Sequence, residues 1–228
     1  MTKKKPVDVV DAEGAPVADV SLSLRRAPRQ VRAQETVRAV LRAAGEEIES
    51  GGLDRLTTNR VAARAGLSIG AVYGYFPNKE SILQALLVQW LDGVFEALDS
   101  LHPRHGGGLD LIRYLQAQLR EGARVYSEQA GLSAMPYLSE GVPALRPVVM
   151  EHDARVYASI SSALRHYVPT ASAEDIDSFS RCLPLLMHAG LVVLVVEKSG
   201  EMGSSLEFLR AAIIGMASRL LMVSQTVE

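Results

Sequence analysis

Leu56-Thr57-Thr58-Asn59-Arg60-Val61-Ala62-Ala63-Arg64-Ala65-Gly66-Leu67-Ser68-Ile69-Gly70-Ala71-Val72-Tyr73-Gly74-Tyr75-Phe76-Pro77-Asn78-Lys79 is the stretch on which the fold turns. Thr57 is placed to cap a short helix, its hydroxyl accepting from a backbone N–H that has no partner inside the helix. Val61, Ala62 and Ala65 give that helix a small apolar face. Gly66 supplies a sharp turn and Leu67 fills the junction. Ser68 caps a second short helix containing Val72 and Phe76, four residues apart. Two short helices joined by a glycine-containing turn make a helix-turn-helix over Thr57 to Phe76. The alanines at the crossing allow the two backbones to approach closely.

In such a unit the N-terminal end of the second helix meets base edges in the major groove. Here that end is Ile69, Gly70 and Ala71. These residues suit close approach and thymine methyls, not bidentate hydrogen bonds, so sequence preference would rest partly on DNA shape. Tyr73, Tyr75 and Lys79 carry donors suited to phosphates, as do Thr58, Arg29 and Arg32. Phe76 reads as a core aromatic, and Arg38, Arg42 and Arg64 read as surface charge. Tyr73 could serve as either a DNA ligand or a core aromatic.

Upstream, Val37, Val40, Leu41, Ala44 and Ile48 share one face of a helix beginning near Arg29. Arg32, Arg38, Arg42, Glu46 and Glu49 lie opposite, and Gly51-Gly52 ends the helix. Residues 1–28 mix Pro6, Gly14, Pro16 and Pro28 with scattered charge, and are expected to form a mobile tail. Its Lys3-Lys4-Lys5 triplet could follow a DNA groove or simply be solvated.

Downstream, Ile82, Leu83, Leu86, Leu87, Trp90, Leu91, Val94 and Leu98 predict a helix from about Asn78 to Leu98. His102-Pro103-Arg104-His105 and three glycines then break the pattern. Further helices are predicted near 109–128, 143–167, 172–198 and 204–225, with 134–138 irregular. Ser172 with Asp175 resembles a capping box, and Pro184 should kink the helix that contains it. Leu191 to Val196 has strand propensity, but a single strand would lack a partner, so the segment is read as helical. The fold class is therefore all-α, with boundaries expected at 1–28, 29–77 and 78–228.

Apolar residues make up 48% of the 228, enough for a sizeable core, and the net charge is -2. That average hides an asymmetry. Arg25 to Lys79 holds ten Arg/Lys against five Asp/Glu, a local +5, while Glu80 to Glu228 holds eleven against seventeen, a local -6. A basic segment on an acidic body fits a chain of which one part meets phosphates. Cys182 is the sole cysteine and reads as a small buried apolar residue. The Leu183 to Val196 run, interrupted by His188, falls short of the roughly 20 residues of a membrane span. A cytoplasmic protein without membrane contact is expected.

The N-terminal run resembles the DNA-binding domain of the tetracycline-repressor (TetR) family. The resemblance rests on the basic first helix, Leu56-Thr57, Val61-Ala62-x-x-Ala65-Gly66-Leu67-Ser68, and Tyr73-x-Tyr75-Phe76-x-Asn78-Lys79-x-x-Ile82-Leu83, within about residues 29–90. Gly74 and Tyr75 depart from the arginine and histidine types more usual there. The resemblance implies an all-helical homodimer, recognition by the helix from Ser68, and phosphate contacts at Thr58, Tyr73, Tyr75 and Lys79. It also implies that the last two long helices pair with their copies. Leu191, Val195, Leu209, Ile213, Met216 and Leu220 are the candidates for that interface.

The body is expected to hold a small, largely apolar or amphipathic effector among its central helices. Candidate lining residues are Tyr114, Tyr126, Met135, Tyr137, Met150, His152, Tyr157, Met187 and His188, though each alone also suits an ordinary core or surface role. The functional expectation is a repressor released from a palindromic operator by that effector. A DNA-binding protein without effector is the alternative, and a helical carrier or enzyme a remoter one. No nucleophile–base pairing or phosphate-cradling loop stands out. No cofactor or metal is expected; His102 and His105 are three apart but sit in a Pro-Gly-rich loop.

Overall fold

A computed structural model describes residues 31–128, 131, 138, 141–196 and 202–225. Among these, eight α-helices and three short 3-10 turns occur, and no strand. The helices are α1 (Val31–Gly51), α2 (Thr58–Ala65), α3 (Ile69–Tyr73), α4 (Lys79–Asp99), α5 (Leu111–Glu128), α6 (Arg146–Tyr167), α7 (Ala173–Val196) and α8 (Met202–Gln225). The proposed tail and residues 132–137 lie outside the described residues, as does Arg29.

Caps decide the boundaries of α2, α3 and α4. Thr57 Oγ1 accepts from Arg60 N at 3.2 Å and Ser68 Oγ from Ala71 N at 3.1 Å. Gly66 takes φ +67°, with its N–H on Ala63 O and that of Leu67 on Ala62 O. This paired arrangement closes α2 and sets the direction of α3. The second helix is shorter than the periodicity suggests: α3 ends at Tyr73, and Phe76 lies beyond it, though its N–H still reaches Val72 O at 2.9 Å. Asn78 and Ser81 cap each other reciprocally at the start of α4.

The apolar stripe of α4 is the spine of the molecule. Ile82, Leu83, Leu86, Leu87, Trp90, Leu91 and Val94 are buried, each worth about 1.5–3 kcal/mol. Tertiary packing therefore holds this helix far more than intrinsic propensity does. α4 packs on α1 on one side and on α5 and α6 on the other. By length and hydropathy α4 and residues 173–193 of α7 could each cross a membrane. Here both are packed as helices of the bundle.

α7 and α8 form an antiparallel pair at the far end. A Cβ at Gly190 would stand 2.5 Å from Leu209 Cδ2, so a larger residue there would require the Leu209 side chain to shift. Pro184 lies within α7. At the start of α7 Ser172 Oγ accepts from Asp175 N at 3.0 Å and donates to the Asp175 carboxylate at 2.5 Å. The side chains thus bond each other, where a capping box would have Asp175 return to the Ser172 backbone.

One expectation is corrected. Cys182 is exposed, because it sits on the outer face of α7. Leu191, Leu209, Ile213 and Leu220 are buried within the protomer, and Met216 packs against the same core. Within the protomer they pack the seam between α7 and α8. Val195 lies in α7, but its side chain is outside the described residues.

Candidate nucleic-acid interface and cavity

The helix-turn-helix presents its second helix outward. Ile69 and Tyr73 are exposed large side chains, at 37% and 43%. Gly70 is exposed and Ala71 half-buried, while Val72 and Phe76 anchor the other face in the core. Thr58 and Lys79 are half-buried at the starts of α2 and α4, and Arg32 is exposed on α1. Tyr75 is partly buried against the core. The described phosphate and base candidates thus lie on α1 to α3, at Tyr75 in the turn after α3, and at the first residue of α4. Tyr73 is the aromatic most open to solvent among them.

What fixes α2 against α1 is a residue the periodicity does not single out. Glu47 is 4% exposed, yet its carboxylate is doubly paired, with Arg60 Nε at 2.7 Å and Arg64 Nε at 2.6 Å. The Arg64 bond, then the Arg60 bond, hold the Glu47 carboxyl below its ordinary range against the opposing effect of burial. Arg64 also reaches Glu46 at 3.7 Å. Arg64 is therefore more than surface charge: with Arg60 it ties the first helix of the motif to α1.

Behind this unit lies a cavity of about 330 Å³ between α4, α5, α6 and α7, lined mainly by apolar side chains. α4 contributes Leu91, Val94, Phe95, Leu98 and Asp99, and α5 contributes Tyr114, Gln118, Gly122 and Tyr126. From α6, Val149, His152, Asp153, Val156, Ser159 and Ile160 face it at helical spacing. Leu183, Pro184, Met187, His188 and Leu191 of α7 close it. Its volume is at the small end of the roughly 300–1,000 Å³ typical of small-molecule pockets.

The few polar groups on the wall are specific. Tyr126 and His188 Nδ1 share a hydrogen bond. Burial raises the Tyr126 phenol and lowers the His188 imidazole, so the bond joins a neutral phenol and a neutral ring. Gln118 Nε2 donates to Leu98 O at 2.8 Å. His152 Nδ1 is buried with no hydrogen-bond partner, and burial pulls its pKa down to about 4. Asp99 accepts from Ser159 Oγ at 2.9 Å and is paired with Arg104. Burial alone would raise its carboxyl, but the bonds from Ser159, His105 and Arg104 outweigh it and lower the net value.

Five of the expected cavity residues, Tyr114, Tyr126, His152, Met187 and His188, are brought together on this wall. Two are not. Met150 is 65% exposed, and Tyr157 turns away to donate to Asp177 Oδ1 at 2.7 Å. Met135 and Tyr137 lie outside the described residues. His102 caps the turn at Pro103–His105 and is buried. Its Nδ1 accepts from Arg104 N at 3.0 Å, so Nε2 carries the proton toward Ser159 O at 3.2 Å. No cluster of three or more His, Cys, Asp or Glu able to hold a metal occurs among the described residues.

The outer faces of α7 and α8 carry exposed apolar side chains. Leu185 is 72% exposed, Phe208 77% and Met222 69%, with Val193 also exposed. Cys182, Leu185, Ala189 and Val193 follow one another at three- and four-residue spacing along α7.

Residues 40–86 match the family described as bacterial regulatory proteins, tetR family. Over 150 residues the chain is 27% identical to the HTH-type transcriptional regulator BetI 2 of Chromohalobacter salexigens, covering 64% of this chain and 70% of that protein. A TetR-family transcriptional regulator from Streptomyces coelicolor superposes with a TM-score of 0.60 at 19% identity, over 81% of this chain and 99% of that one. The fatty acid degradation regulator FadR from Bacillus halodurans superposes with a TM-score of 0.67 at 16% identity, over 79% and 95%. These likenesses extend the shared fold well beyond the helix-turn-helix.

Proposed function

We propose that the chain is a member of the TetR family of bacterial regulatory proteins, whose model matches residues 40–86, and that it is a cytoplasmic, homodimeric repressor released from a palindromic operator by a small, largely apolar or amphipathic effector. Residues 29–77 act as the DNA-binding unit and 78–228 as the effector-binding and dimerisation unit. One observation carries the reading: α4 serves both halves. Its N-terminus is capped immediately after the helix-turn-helix, it packs on α1, and its C-terminal half walls the cavity.

In this reading α3 enters the major groove, and Thr58, Tyr73, Tyr75 and Lys79, with Arg29 and Arg32, hold phosphates. The exposed stripe Leu185, Val193, Phe208 and Met222 supports pairing of α7 and α8 with their copies, using the face opposite the one expected from the sequence. A symmetric dimer sets two recognition helices about 34 Å apart, one DNA turn. Effector in the cavity displaces α4 and changes that separation. The structural route is short: a Cβ on Gly131, just past α5, would meet both Gly45 O of α1 at 2.7 Å and the Trp90 ring of α4 at 3.2 Å.

DNA and effector then weaken each other by the same factor, typically about 5–150-fold. The test is to screen small amphiphiles by quenching of Trp90, the single tryptophan. The affinity of each binder is then measured with and without operator duplex. Affinity reduced by operator is expected. Identical affinities would contradict release by effector and favour the reading of a DNA-binding protein without one.

A further inference from the structure

The charge on the cavity wall is one-sided. Asp99 and Asp153 line it, and no lysine or arginine does. Asp99 is engaged by Ser159, His105 and Arg104. Asp153 has no hydrogen-bond or ion-pair partner among the described residues, and as an exposed residue on the wall it marks the mouth. Desolvation there raises its carboxyl, the response of a carboxylate lacking a counter-charge.

Among the described residues, none on the wall supplies that counter-charge. His152 and His188 are kept neutral by burial. Arg155, next along α6, is held by Asp92 Oδ1 at 2.6 Å and lies 4.2 Å over the Phe95 ring. An anionic headgroup would be desolvated beside a carboxylate with no cation to receive it. A cationic nitrogen would meet the Asp153 carboxylate, which attracts positive charge.

We propose that Asp153 receives the positively charged nitrogen of a small amphiphile whose apolar tail lies against Val94, Phe95 and Leu183, and that the cavity discriminates against carboxylate amphiphiles. The proposal rests on the cavity being the effector site. It also narrows the effector from any apolar molecule to an alkyl- or arylammonium.

The test uses the full chain near neutral pH with three probes of equal tail length: octyltrimethylammonium, 1-octanol and octanoate, each below self-association. Binding is read by Trp90 fluorescence and by thermal shift. The ammonium should bind about five- to tenfold more tightly than octanoate. Asp153→Asn should lower ammonium affinity to that of octanol while leaving octanol unchanged. Octanoate binding as tightly as the ammonium would overturn the charge selection but leave the cavity as a ligand site. An unchanged ammonium affinity in Asp153→Asn would overturn the role of that residue. Failure of all three probes to bind would overturn the proposal and count against the effector reading itself.

Discussion

Arg64 Nε donates to Glu47 Oε1 at 2.6 Å, across the seam between α2 and α1, onto a residue that is almost wholly buried. With Arg60 on the second oxygen, the carboxylate is fully engaged. Substituting Glu47→Gln should lower Tm at neutral pH and loosen the helix-turn-helix against α1. The sign of the pH effect follows from the lowered carboxyl. The folded form binds its proton less readily than the unfolded, so the ion pair stabilises above about pH 4.3 and is lost as pH falls through the folded value. Urea unfolding should show the gap between wild type and Glu47→Gln constant near neutrality and closing in acid. A gap independent of pH would contradict a charge-based clamp.

Gly66 has φ +67°, and a Cβ there would meet nothing within 4 Å. Gly66→Ala should therefore carry only the backbone penalty of the left-handed conformation, about 1–2 kcal/mol. Gly66→Asn should cost less. Equal stability of Gly66→Ala and wild type in denaturant titration would show that the turn is not held in this conformation.

Tyr73 and Lys79 separate two kinds of phosphate contact. Lys79→Ala should weaken DNA binding for all sequences and reduce the slope of log affinity against log salt by about 1. Tyr73→Phe should weaken binding without changing that slope, since its hydroxyl is uncharged. Fluorescence anisotropy across a salt series distinguishes them; an unchanged slope in Lys79→Ala would remove that residue from the contact.

The helix-turn-helix is legible in the sequence because its determinants are local. Thr57, Gly66, Ser68 and Asn78 act on backbone groups within three or four residues. The Glu47 clamp is not legible, since its partners lie 13 and 17 residues away and emerge only when α2 crosses α1. Which face of α7 and α8 points inward is not legible for a related reason. Both helices are apolar on most faces, and no periodicity tells which side meets the rest of the protomer. Only Leu209 docking onto Gly190 reveals the inward face. Tyr157 shares a helix with the cavity residues, yet the rotation of α6 carries it to Asp177.

Leu185, at the edge of the cavity, and Phe208 are both largely exposed, so charging them costs little packing within the protomer. Leu185→Glu and Phe208→Glu should convert a dimer to a monomer in sedimentation velocity with little loss of helicity, and should abolish binding to a two-half-site duplex. A dimer that survives both substitutions would place the interface elsewhere.

His152 has a buried, unpartnered Nδ1 and a pKa near 4. The unfolded chain takes up this proton near pH 6.5 while the folded chain resists it, so stability falls as pH drops from about 6.5 toward 4. His152→Leu removes that effect and should gain on wild type by up to about 3 kcal/mol at the acid end. Parallel stability curves for the two proteins between these pH values would show that His152 is solvated.

The most direct test of the central claim is selection of duplexes from a random-sequence pool by the full chain, followed by footprinting. The account predicts enrichment of an inverted repeat with half-sites about one helical turn apart, lost in Tyr73→Ala and in Phe208→Glu. No enriched repeat, with affinity falling equally for every sequence as salt rises, would contradict a sequence-specific regulator.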